Sequence, residues 1–551
     1  MNLPNQTDVI IVGGGPCGLM LANELGRRGV TCVLVDEKPT TAFNPQANAT
    51  QARTMEHFRR LGFAGKIRQM GMPPDYPTDI AYFTRYAKHE LARFKLPSSR
   101  QATDVIRTLS GSWSAAELPH RISQKYVEAE LRRQAEKLPG VSINYGVRVT
   151  SFAQDATGVD ADVELATGGG AQRIRGRWLV GADGPRSFVR ETLGYRLEGD
   201  SGVNRDFMGG RMFAVYARIP DYYRVVPHDP AWMNVTFNQQ RRALLAAVDG
   251  VSEFAFHTQL RPHEEGLELT DAHAADMVRQ AIGADTHVDV LSNGMWRAGF
   301  ALVAEKMQKG RVFIAGDAAH LFTPTGGLGY NTAIEDSVNL GWKFAAVVKG
   351  VAPESFLDSY EAERRPFAKR NTGYSKLFAD SLGLKFAPAE IEDESPQGEA
   401  ARAEAGEYFN AHARREFNIP GVTFGGRYDG SPIIVSDGTS PPPDAPNIYQ
   451  PTACPGGRPP HLWLDGARSL YDTFGFEWTL LRLGRHAPDV SAFAKSAKAR
   501  GLDLSIVDIA GEEARDLYEA DLALIRPDQI VAWRGHDTGR ADAILAQATG
   551  R

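Results

Sequence analysis

The hydrophobic pattern of the first forty residues predicts a strand, a glycine turn, a helix and a second strand. Residues 8–12 form a short β-branched run of the kind found in buried parallel strands, and they lead directly into the glycine-rich segment 13–18. Apolar positions in 19–25 are spaced for one face of a helix, and 31–35 reads as a second buried strand. This order of elements is that of a βαβ unit.

Further along the chain the pattern predicts a second type of sheet and a return to α/β structure. Residues 205–260 alternate apolar and polar positions, which is typical of an antiparallel sheet. The α/β pattern resumes at 311–315 and continues in a helix from about residue 331 to 350. The other predicted elements are helices at 52–62 and 122–137, strands at 141–152, 160–166 and 173–182, and strands at 478–483, 502–507 and 522–525 in a small C-terminal α/β domain.

Composition narrows the class of protein. The 551 residues include 62 basic and 67 acidic side chains, a net charge of −5, which argues against a protein that binds nucleic acid. Three cysteines exclude a disulfide scaffold and a cysteine-based zinc site, and we expect no metal. Because the N-terminus lacks a signal-peptide pattern and no apolar run of about 18 residues occurs, we expect a cytoplasmic protein without a membrane partner.

The glycine turn carries the first chemical signal. Gly13, Gly15 and Gly18 have the spacing in which the first glycine permits a tight turn, the second admits a pyrophosphate, and the third allows close helix packing. The helix that follows offers N–H donors and a positive dipole end to phosphate. Asp36, or its neighbour Glu37, ends the second strand, where an acid accepts hydrogen bonds from the adenosine ribose. We therefore predict a dinucleotide site.

Two more predicted strands end in an aspartate. Asp183 lies in the segment 181–190, and Asp317 follows the apolar residues 312–315 after one glycine, Gly316. Ligands of open α/β sheets bind beyond the carboxyl ends of the strands. Both carboxylates are therefore candidates for the same site.

In this order and at these distances, the three motifs resemble those of the single-component FAD-dependent aromatic hydroxylases of the p-hydroxybenzoate hydroxylase type. The resemblance covers at least residues 8–375 and includes the segments 324–343 and 360–366. The C-terminal part is similar to the branch of phenol, 2,4-dichlorophenol and 3-(3-hydroxyphenyl)propionate hydroxylases, which ends in a thioredoxin-like domain. This chain has no CxxC motif there, so we expect that domain to be structural.

The resemblance implies an α/β fold in which a Rossmann-like FAD-binding domain is interleaved with an antiparallel-sheet substrate domain. The implied division of the chain assigns 1–75, 105–195 and 300–385 to the FAD-binding domain, 76–104 and 196–299 to the substrate-binding sheet domain, 386–430 to a helical connector, and 431–551 to the thioredoxin-like C-terminal domain.

The resemblance also implies roles for individual residues. Asp317 corresponds to the aspartate at the ribityl and pyrophosphate region of FAD, and Asp183 to one that handles both FAD and the nicotinamide nucleotide. Gln124 and Arg53 are placed like FAD-contacting residues, Arg53 at a phosphate. The flavin-ring loop and the start of the next helix supply the remaining candidates, which are Pro324, Gly327, Leu328, Gly329 and Asn331, while the neighbouring His320 is expected to pack behind the flavin.

The loop candidates have a physical rationale. Reduced flavin carries negative charge at its pyrimidine edge, and a helix N-terminus stabilises an anion. In the reaction that the resemblance implies, NADH or NADPH reduces FAD, and the reduced flavin reacts with O2 to give a C4a-hydroperoxide. Its distal oxygen then hydroxylates a small phenolic substrate, in a site from which water is excluded.

Asn48 departs from the pattern of the phenol hydroxylase branch, which has an acid in the matching segment 46–49. An amide cannot take a proton at pH 7. Two explanations stay open: a Tyr or His of the 205–300 sheet acts as the base, or the substrate is already ionised, as nitro- or halogen-substituted phenols and catechols are. We favour the second explanation, with a nitrocatechol as its most specific form.

Candidate walls of the substrate pocket come from the predicted sheet. Aromatic and polar side chains in this region are suited to contact an aromatic ring, and the set consists of Arg211, Tyr216, Trp232, Asn234, Phe237 and Trp296.

Several alternatives remain. The first is an FAD monooxygenase that tailors a polyketide or modifies an antibiotic; the others are an FAD oxidase or dehydrogenase that uses no nicotinamide, and a non-catalytic dinucleotide-binding protein. The sequence does not decide the natural substrate, the hydroxylated position, the choice between NADH and NADPH, or the oligomeric state, for which a homodimer is the working hypothesis.

Overall fold

The computed structural model describes residues 3–202 and 205–551. Within these residues the strands, numbered in chain order, are β1 (Gln6–Val12), β2 (Cys32–Asp36), β3 (Ile80–Phe83), β4 (Glu90–Phe94), β5 (Val141–Tyr145), β6 (Val147–Gln154), β7 (Val159–Leu165), β8 (Gln172–Gly181), β9 (Leu197–Asp200), β10 (Gly210–Arg218), β11 (Met233–Thr236), β12 (Ala243–Ala247), β13 (Glu253–Gln259), β14 (Asp289–Ala298), β15 (Ala301–Ala304), β16 (Gln308–Lys309), β17 (Val312–Ile314), β18 (His320–Leu321), β19 (Trp463–Leu464), β20 (Arg468–Ser469), β21 (Trp478–Leu483), β22 (Leu504–Ile509), β23 (Leu522–Ile525) and β24 (Val531–Gly535).

The helices of the same residues are α1 (Pro16–Gly26), α2 (Ala52–Arg60), α3 (Ala64–Arg68), α4 (Ser99–Val105), α5 (Gln124–Ala135), α6 (Phe188–Leu193), α7 (Tyr222–Val225), α8 (Asp271–Ile282), α9 (Leu328–Val348), α10 (Ser359–Gly383), α11 (Pro396–Phe417), α12 (Pro420–Phe424), α13 (Ser491–Ala499), α14 (Glu512–Tyr518) and α15 (Ala541–Ala548). Among these helices, none combines the length and the apolar character needed to span a bilayer.

The first sheet gathers the predicted motifs at one edge. Its strands follow the order β16-β17-β8-β1-β2-β5, and β7 attaches the β6–β7 hairpin to β8. The pairs β1–β2, β1–β8 and β8–β17 are parallel. The carboxyl ends of β1, β2, β8 and β17 therefore lie side by side, and each is followed by one of the motifs singled out above. The predicted strand 141–152 is divided by Gly146, whose φ of +73° is costly for other residues in a strand.

The second sheet has seven strands in the order β14-β10-β13-β12-β11-β3-β4. Most neighbours are antiparallel, as predicted, but β3 and β11 are parallel. Parallel neighbours need a long connection, and about 150 residues of chain separate these two strands. A smaller three-stranded sheet, β18-β15-β9, also lies in the chain.

The C-terminal part forms a four-stranded sheet in the order β22-β21-β23-β24, in which only β21 and β22 are parallel. With α13, α14 and α15 it has the element order βαβαββα, which agrees with the predicted thioredoxin-like arrangement. Trp342 of α9 packs edge-on against Trp478 of β21, with ring centroids 5.7 Å apart, so this domain shares a buried core with the first sheet. The predicted α/β fold class is confirmed, whereas the exact domain boundaries stay a prediction.

Candidate active site

The glycine turn has the geometry that its three roles require. Gly13 has a φ of +113°, and a Cβ there would lie 2.1 Å from the Ala182 carbonyl oxygen. A Cβ at Gly18 would lie 1.9 Å from the carbonyl oxygen of Gly13, so the helix packs too closely for any side chain. At Gly15, by contrast, a Cβ would meet no protein atom within 4 Å. The middle glycine therefore faces open space at the start of α1, where a pyrophosphate can approach the backbone.

Asp36 holds this turn in place. One carboxylate oxygen accepts a hydrogen bond from the Gly14 N–H at 2.6 Å, and the other accepts one from the Lys38 N–H at 2.8 Å. Glu37 is exposed. Of the two predicted ribose acceptors, Asp36 is thus the one adjoining the glycine turn.

The other two predicted aspartates have different surroundings. The oxygens of Asp183 accept hydrogen bonds from the Ser187 hydroxyl (2.5 Å) and the Val189 N–H (3.0 Å), so this carboxylate supports the start of α6. Asp317 is solvent-accessible and makes none of the hydrogen bonds found within residues 3–202 and 205–551. Its surroundings are nevertheless dense enough that desolvation raises its pKa. A carboxylate in such a crevice is suited to accept hydrogen bonds from the hydroxyl groups of a ligand.

A buried network behind Asp317 positions its turn. Asp336 of α9 accepts hydrogen bonds from the Gly316 N–H (3.0 Å), the His320 ring (2.7 Å) and the Arg364 guanidinium (2.7 Å). Although burial alone would raise the pKa of Asp336, His320 and Arg364 hold it below its usual value. His320 is fully buried and packs behind this turn, and its place behind the flavin stays a prediction.

The predicted flavin-ring loop is a pair of left-handed glycines that leads into a long helix. Gly326 and Gly327 have φ values of +72° and +63°, and α9 begins at Leu328 without a side-chain cap. The N–H groups of its first turn are therefore free of the protein partner that a capping residue supplies. Pro324 is exposed at the entrance to this loop.

Three side chains fix the loop to its surroundings. Asn331 donates to the carbonyl oxygens of Ala49 (2.9 Å) and Gly327 (2.6 Å) and accepts a hydrogen bond from the Gln51 N–H (2.8 Å). The Gln51 amide donates to the Gly326 carbonyl oxygen at 2.8 Å. Glu416 of α11 accepts a hydrogen bond from the Gly326 N–H at 2.9 Å. Sequence reasoning missed Gln51 and Glu416; only the closeness of Gln51 to the predicted Arg53 gave a signal.

Arg53 is directed towards the C-terminal domain. Its terminal nitrogens donate to Glu56 (3.1 Å), to the Gln529 side chain (3.1 Å), and to the carbonyl oxygens of Asp528 (2.8 Å) and Gln529 (2.9 Å). Only Nε is left for another partner. The structure therefore does not present Arg53 as the free phosphate ligand that the sequence predicts, because a second domain already engages its charge.

Gln124 and Asn48 lie on adjoining segments. The Gln124 N–H donates to the Ala47 carbonyl oxygen at 2.7 Å, and its side-chain amide donates to Glu128 at 2.6 Å. The side-chain oxygen of Asn48 is sealed from solvent and has no hydrogen-bond partner within the described chain. An unpartnered buried acceptor is costly, so it is suited to a hydrogen-bond donor supplied by a ligand.

The segment 43–51 covers one face of the seven-stranded sheet, which we call the inner face. The ring of Tyr216 lies 5.5 Å from that of Phe43, and the Ser292 hydroxyl lies 2.6 Å from the Asn44 side-chain oxygen. Tyr216 and Ser292 are directly opposite each other on β10 and β14 and therefore share this face. Tyr216 also accepts a hydrogen bond from Lys125 at 2.5 Å and donates one to Glu253.

Trp296 and His257 also lie on the inner face. Trp296 is directly opposite Met212 of β10, and His257 is directly opposite Ala214. Residues 212, 214 and 216 point to the same side of β10, because side chains alternate along a strand. The rings of Trp296 and His257 meet edge-on with centroids 5.6 Å apart, and the Trp296 Nε1 and His257 Nδ1 atoms are sealed without a partner in the residues described. Burial lowers the pKa of His257 to about 4. His257 was not singled out in the sequence.

Two predicted pocket residues lie on the opposite face. Asn234 of β11 is directly opposite Leu245 of β12, and Leu245 is directly opposite Phe256 of β13, so the three side chains share one face. Leu245 and Phe256 belong to the buried cluster that includes Val278 of α8. Arg211 is exposed and adjoins the inner-face residue Met212, so it points away from that face. The structure therefore does not bring Asn234 and Arg211 together with Tyr216 and Trp296.

The last two aromatic candidates border α11. Phe237 packs edge-on against Phe409 with centroids 4.8 Å apart, as part of the apolar core. The ring of Trp232 lies under the guanidinium of Arg121, at 4.6 Å. Arg121 is a further residue that sequence reasoning missed, because a single arginine before a helix carries no signal of its own.

Comparison with known proteins agrees with this geometry. Residues 6–375 match the family model described as an FAD binding domain, and residues 452–551 match the one described as aromatic-ring hydroxylase, C-terminal. An FAD-dependent monooxygenase, opdD, of Penicillium oxalicum is 32% identical over 91% of this chain and 99% of its own length. A phenol 2-monooxygenase of a Pseudomonas species is 29% identical over 96% of this chain and 90% of its own.

A solved structure has the same fold. The structure described as native and K252c-bound RebC-10x superimposes with a TM-score of 0.88 at 30% identity, over 99% of this chain and 100% of its own. The open space at Gly15, the unpartnered carboxylate of Asp317 and the uncapped start of α9 fit the phosphates, the hydroxyl groups and the ring edge of FAD, respectively. The chain therefore belongs to the FAD-dependent aromatic-ring hydroxylases.

Proposed function

We propose that this chain hydroxylates a phenolic compound that is already ionised, with NADH or NADPH as the electron donor and O2 as the oxygen source. Membership of the aromatic-ring hydroxylases gives the reaction class. The observation that carries the substrate proposal is the absence of an effective base among the described residues that lie at the inner face and the adjoining segment 43–51. Asn48 holds the position expected for an acid, and it cannot accept a proton.

Two other groups at the inner face could act as a base, Glu253 and His257. Glu253 already accepts hydrogen bonds from Tyr216 and from Lys125 (3.3 Å), and although burial alone would raise its pKa, these partners hold it below the usual value. Desolvation lowers the pKa of His257 to about 4, so this ring is a weaker base than an ordinary histidine. Tyr216 cannot serve as the base either, because desolvation and its hydrogen bond to Glu253 raise its pKa above the ordinary value. A substrate that ionises by itself near pH 7 removes the need for a strong base.

The described residues would hold the cofactor and shield it. The Gly13–Gly18 turn and α1 would bind the pyrophosphate, Asp317 would accept hydrogen bonds from the ribityl hydroxyls, and the first-turn N–H groups of α9 would face the flavin ring. FAD supplies the redox chemistry that activates O2 for transfer to the ring. Trp296 and the segment 43–51 would cover the substrate and exclude water.

The experiment compares phenols of high and low pKa at pH 7. Nitrophenols, nitrocatechols and chlorophenols are offered beside unsubstituted phenol, and NAD(P)H consumption, O2 consumption and hydroxylated product are measured together. We expect product from the ionised compounds at a rate at least about tenfold above that from phenol. Equal rates for phenol and nitrophenol would contradict the proposed substrate class, and NAD(P)H oxidation without product from any aromatic compound would contradict the proposed reaction.

The alternative of a polyketide-tailoring or antibiotic-modifying enzyme concerns the size of the substrate. Polycyclic phenols added to the same panel separate the two possibilities, because a tailoring enzyme forms product from these compounds and not from single-ring phenols. The predicted cytoplasmic location and homodimer also stay predictions, and sedimentation analysis of the FAD-loaded chain tests the second.

A further inference from the structure

Arg121 differs from every other buried arginine in the described chain. Twelve arginines are less than a tenth exposed, and eleven of them have an acidic side chain within 4 Å. Arg121, at 5% exposure, takes part in none of the ion pairs or side-chain hydrogen bonds found in residues 3–202 and 205–551. Burying an unpaired charge is costly, so a buried arginine without a partner is a candidate to bind an anionic ligand.

The guanidinium of Arg121 is not sealed by the protein. Its nitrogens have no hydrogen-bond partner in the described residues, and none of them is sealed from solvent. The accessible part of the residue therefore includes its charged head. The guanidinium lies 4.6 Å from the centroid of the Trp232 ring and 5.8 Å from that of Phe417. A planar cation between aromatic rings, with its nitrogens facing free space, is arranged to bind an anionic oxygen.

The position of Arg121 connects it with the flavin-ring loop. Its neighbour His120 is paired with Thr50 in an antiparallel bridge, which brings Arg121 alongside Ala49. The Ala49 carbonyl oxygen accepts a hydrogen bond from Asn331, and a Cβ at Gly327 would lie 3.0 Å from the Ala49 side chain. Arg121 therefore adjoins both the loop that faces the flavin and the segment that carries Asn48.

Nearby acids do not neutralise Arg121. Glu416 on α11 is the acid whose charge acts on Arg121. The Glu416 carboxylate, however, already accepts a hydrogen bond from the Gly326 N–H at 2.9 Å and lies 2.8 Å from the His412 ring. Desolvation lowers the pKa of Arg121 to about 10, which leaves it charged at pH 7. Burial lowers the pKa of the adjacent His120 to about 3, so that ring is neutral from pH 6 to 9.

We infer that Arg121 is the counter-ion for an anionic oxygen of the aromatic substrate, which is thus bound in its ionised form. This inference rests on the proposed function, and it explains how a site without a strong base selects an activated ring. The anionic oxygen can belong to a phenolate or to a ring carboxylate, since both offer the lone pairs that a guanidinium binds. The two sources differ in the pH at which they become charged.

The test measures binding to the full, FAD-loaded chain without NAD(P)H, from the change in flavin absorbance as ligand is added. 4-Nitrophenol is compared with 4-nitroanisole, and 3-hydroxybenzoate with 3-hydroxybenzamide, so that each anion has an uncharged counterpart on the same ring. We expect Arg121→Gln to weaken binding of the preferred anion at least about tenfold and that of its neutral partner less than about threefold. Arg121→Lys keeps the charge without the planar fork and should fall between the two.

The matched control is Arg297→Gln, since Arg297 is an exposed arginine of β14. It should bind both members of each pair like the unchanged protein. The unchanged protein provides an arm that needs no variant: between pH 6 and 9 its affinity for nitrophenol should rise as the phenol ionises, whereas its affinity for the benzoate should stay level. If Arg121→Gln does not load FAD, the pH series on the unchanged protein and the binding measurements on Arg121→Lys test the inference instead.

The outcomes separate this inference from the proposed function. Equal binding of anions and neutral partners by the unchanged protein would overturn the role of Arg121, even where phenols are still hydroxylated. So would an Arg121→Gln variant that binds the anions unchanged. Selective anion binding that depends on Arg121, together with no hydroxylated product from any phenol, would leave the anion site standing and remove the proposed reaction.

Discussion

At the scale of single residues, the glycine turn separates what the fold needs from what the cofactor needs. Gly18 is required by the protein itself, because its missing side chain lets α1 touch the Gly13 carbonyl. Gly15 has no such restriction: its φ of −78° is ordinary for any residue, and a Cβ would enter open space. The two glycines should therefore respond differently to the same substitution.

We expect Gly15→Ala to fold normally, within about 0.5 kcal/mol of the unchanged protein, and to bind FAD at least about tenfold more weakly. Gly18→Ala should instead lower the free energy of unfolding of the FAD-free chain by about 1–3 kcal/mol, since an overpacked contact must be relieved. Thermal unfolding and FAD fluorescence titration measure the two effects. Normal FAD affinity in Gly15→Ala would show that the pyrophosphate does not lie against this turn.

The sequence predicted such residues where a local motif defines the geometry. The roles of Gly13, Gly15 and Gly18 depend on a turn of six residues, and their spacing is sufficient to predict them. Arg121 could not be predicted, because its significance is the lack of a polar partner among residues 3–202 and 205–551. That lack is visible only when the segments that contain Trp232 and Phe417 are in place.

At the scale of elements, α9 connects the cofactor site with the core. Its first turn carries Asn331, which holds the segment 49–51 against the glycine loop through three hydrogen bonds. Two turns further on, Asn339 is equally buried but donates to Glu363 at 2.7 Å in a network behind the helix. One helix thus supplies a test residue and its control.

Asn331→Ala should reduce the amount of hydroxylated product formed per NAD(P)H consumed by about half or more, because the loop that shields the flavin loses its attachment. Asn339→Ala should lose about 1–3 kcal/mol of stability with the product ratio unchanged, since Glu363 loses one of its hydrogen bonds and a small cavity is left away from the site. Product analysis with NAD(P)H and O2 consumption checks both. A product ratio that falls equally in the two variants would mean that the effect comes from general loosening of α9.

Elements also show where pattern reading fails. Asn234 lies between Met233 and Val235 in a strand that is buried on both faces, so the alternation that would assign its face is missing. The parallel pairing of β3 with β11 joins segments that are far apart in the chain, and no local signal encodes it. By contrast, β1, α1 and β2 are consecutive, and their hydrophobic periods alone predicted them.

At the scale of the whole molecule, buried ion pairs fasten the C-terminal domain to the flavin-binding part. Arg526 pairs with Glu363 at 2.6 Å, and Arg458 pairs with Glu56 of α2 at 2.5 Å. The engagement of Arg53 by Asp528 and Gln529 belongs to the same contact. The sequence prediction for Arg53 considered only its own motif, while its partners lie more than 470 residues away.

Glu56 makes this contact sensitive to acid. Burial alone would raise the pKa of its carboxyl, but Arg458, with further contributions from Arg53 and His461, lowers it from 4.5 to about 2. A carboxyl with a lowered pKa contributes stability that is fully present above pH 4.5 and is lost as the pH falls towards 2. The shift corresponds to about 3 kcal/mol. Because removing one partner leaves buried arginines unpaired, we expect Glu56→Gln to cost about 3–5 kcal/mol at pH 7.

The gap in stability between Glu56→Gln and the unchanged protein should narrow as the pH is lowered from 4.5 towards 2, since the glutamate then loses its charge as well. Urea unfolding in excess FAD at several pH values measures the gap. Glu513→Gln, at an exposed position of α14, should stay within about 0.5 kcal/mol throughout. A gap of the same size at every pH would show that packing, and not the charge of Glu56, fastens the domain, and no gap at pH 7 would show that the contact contributes nothing to the stability of the assembled chain.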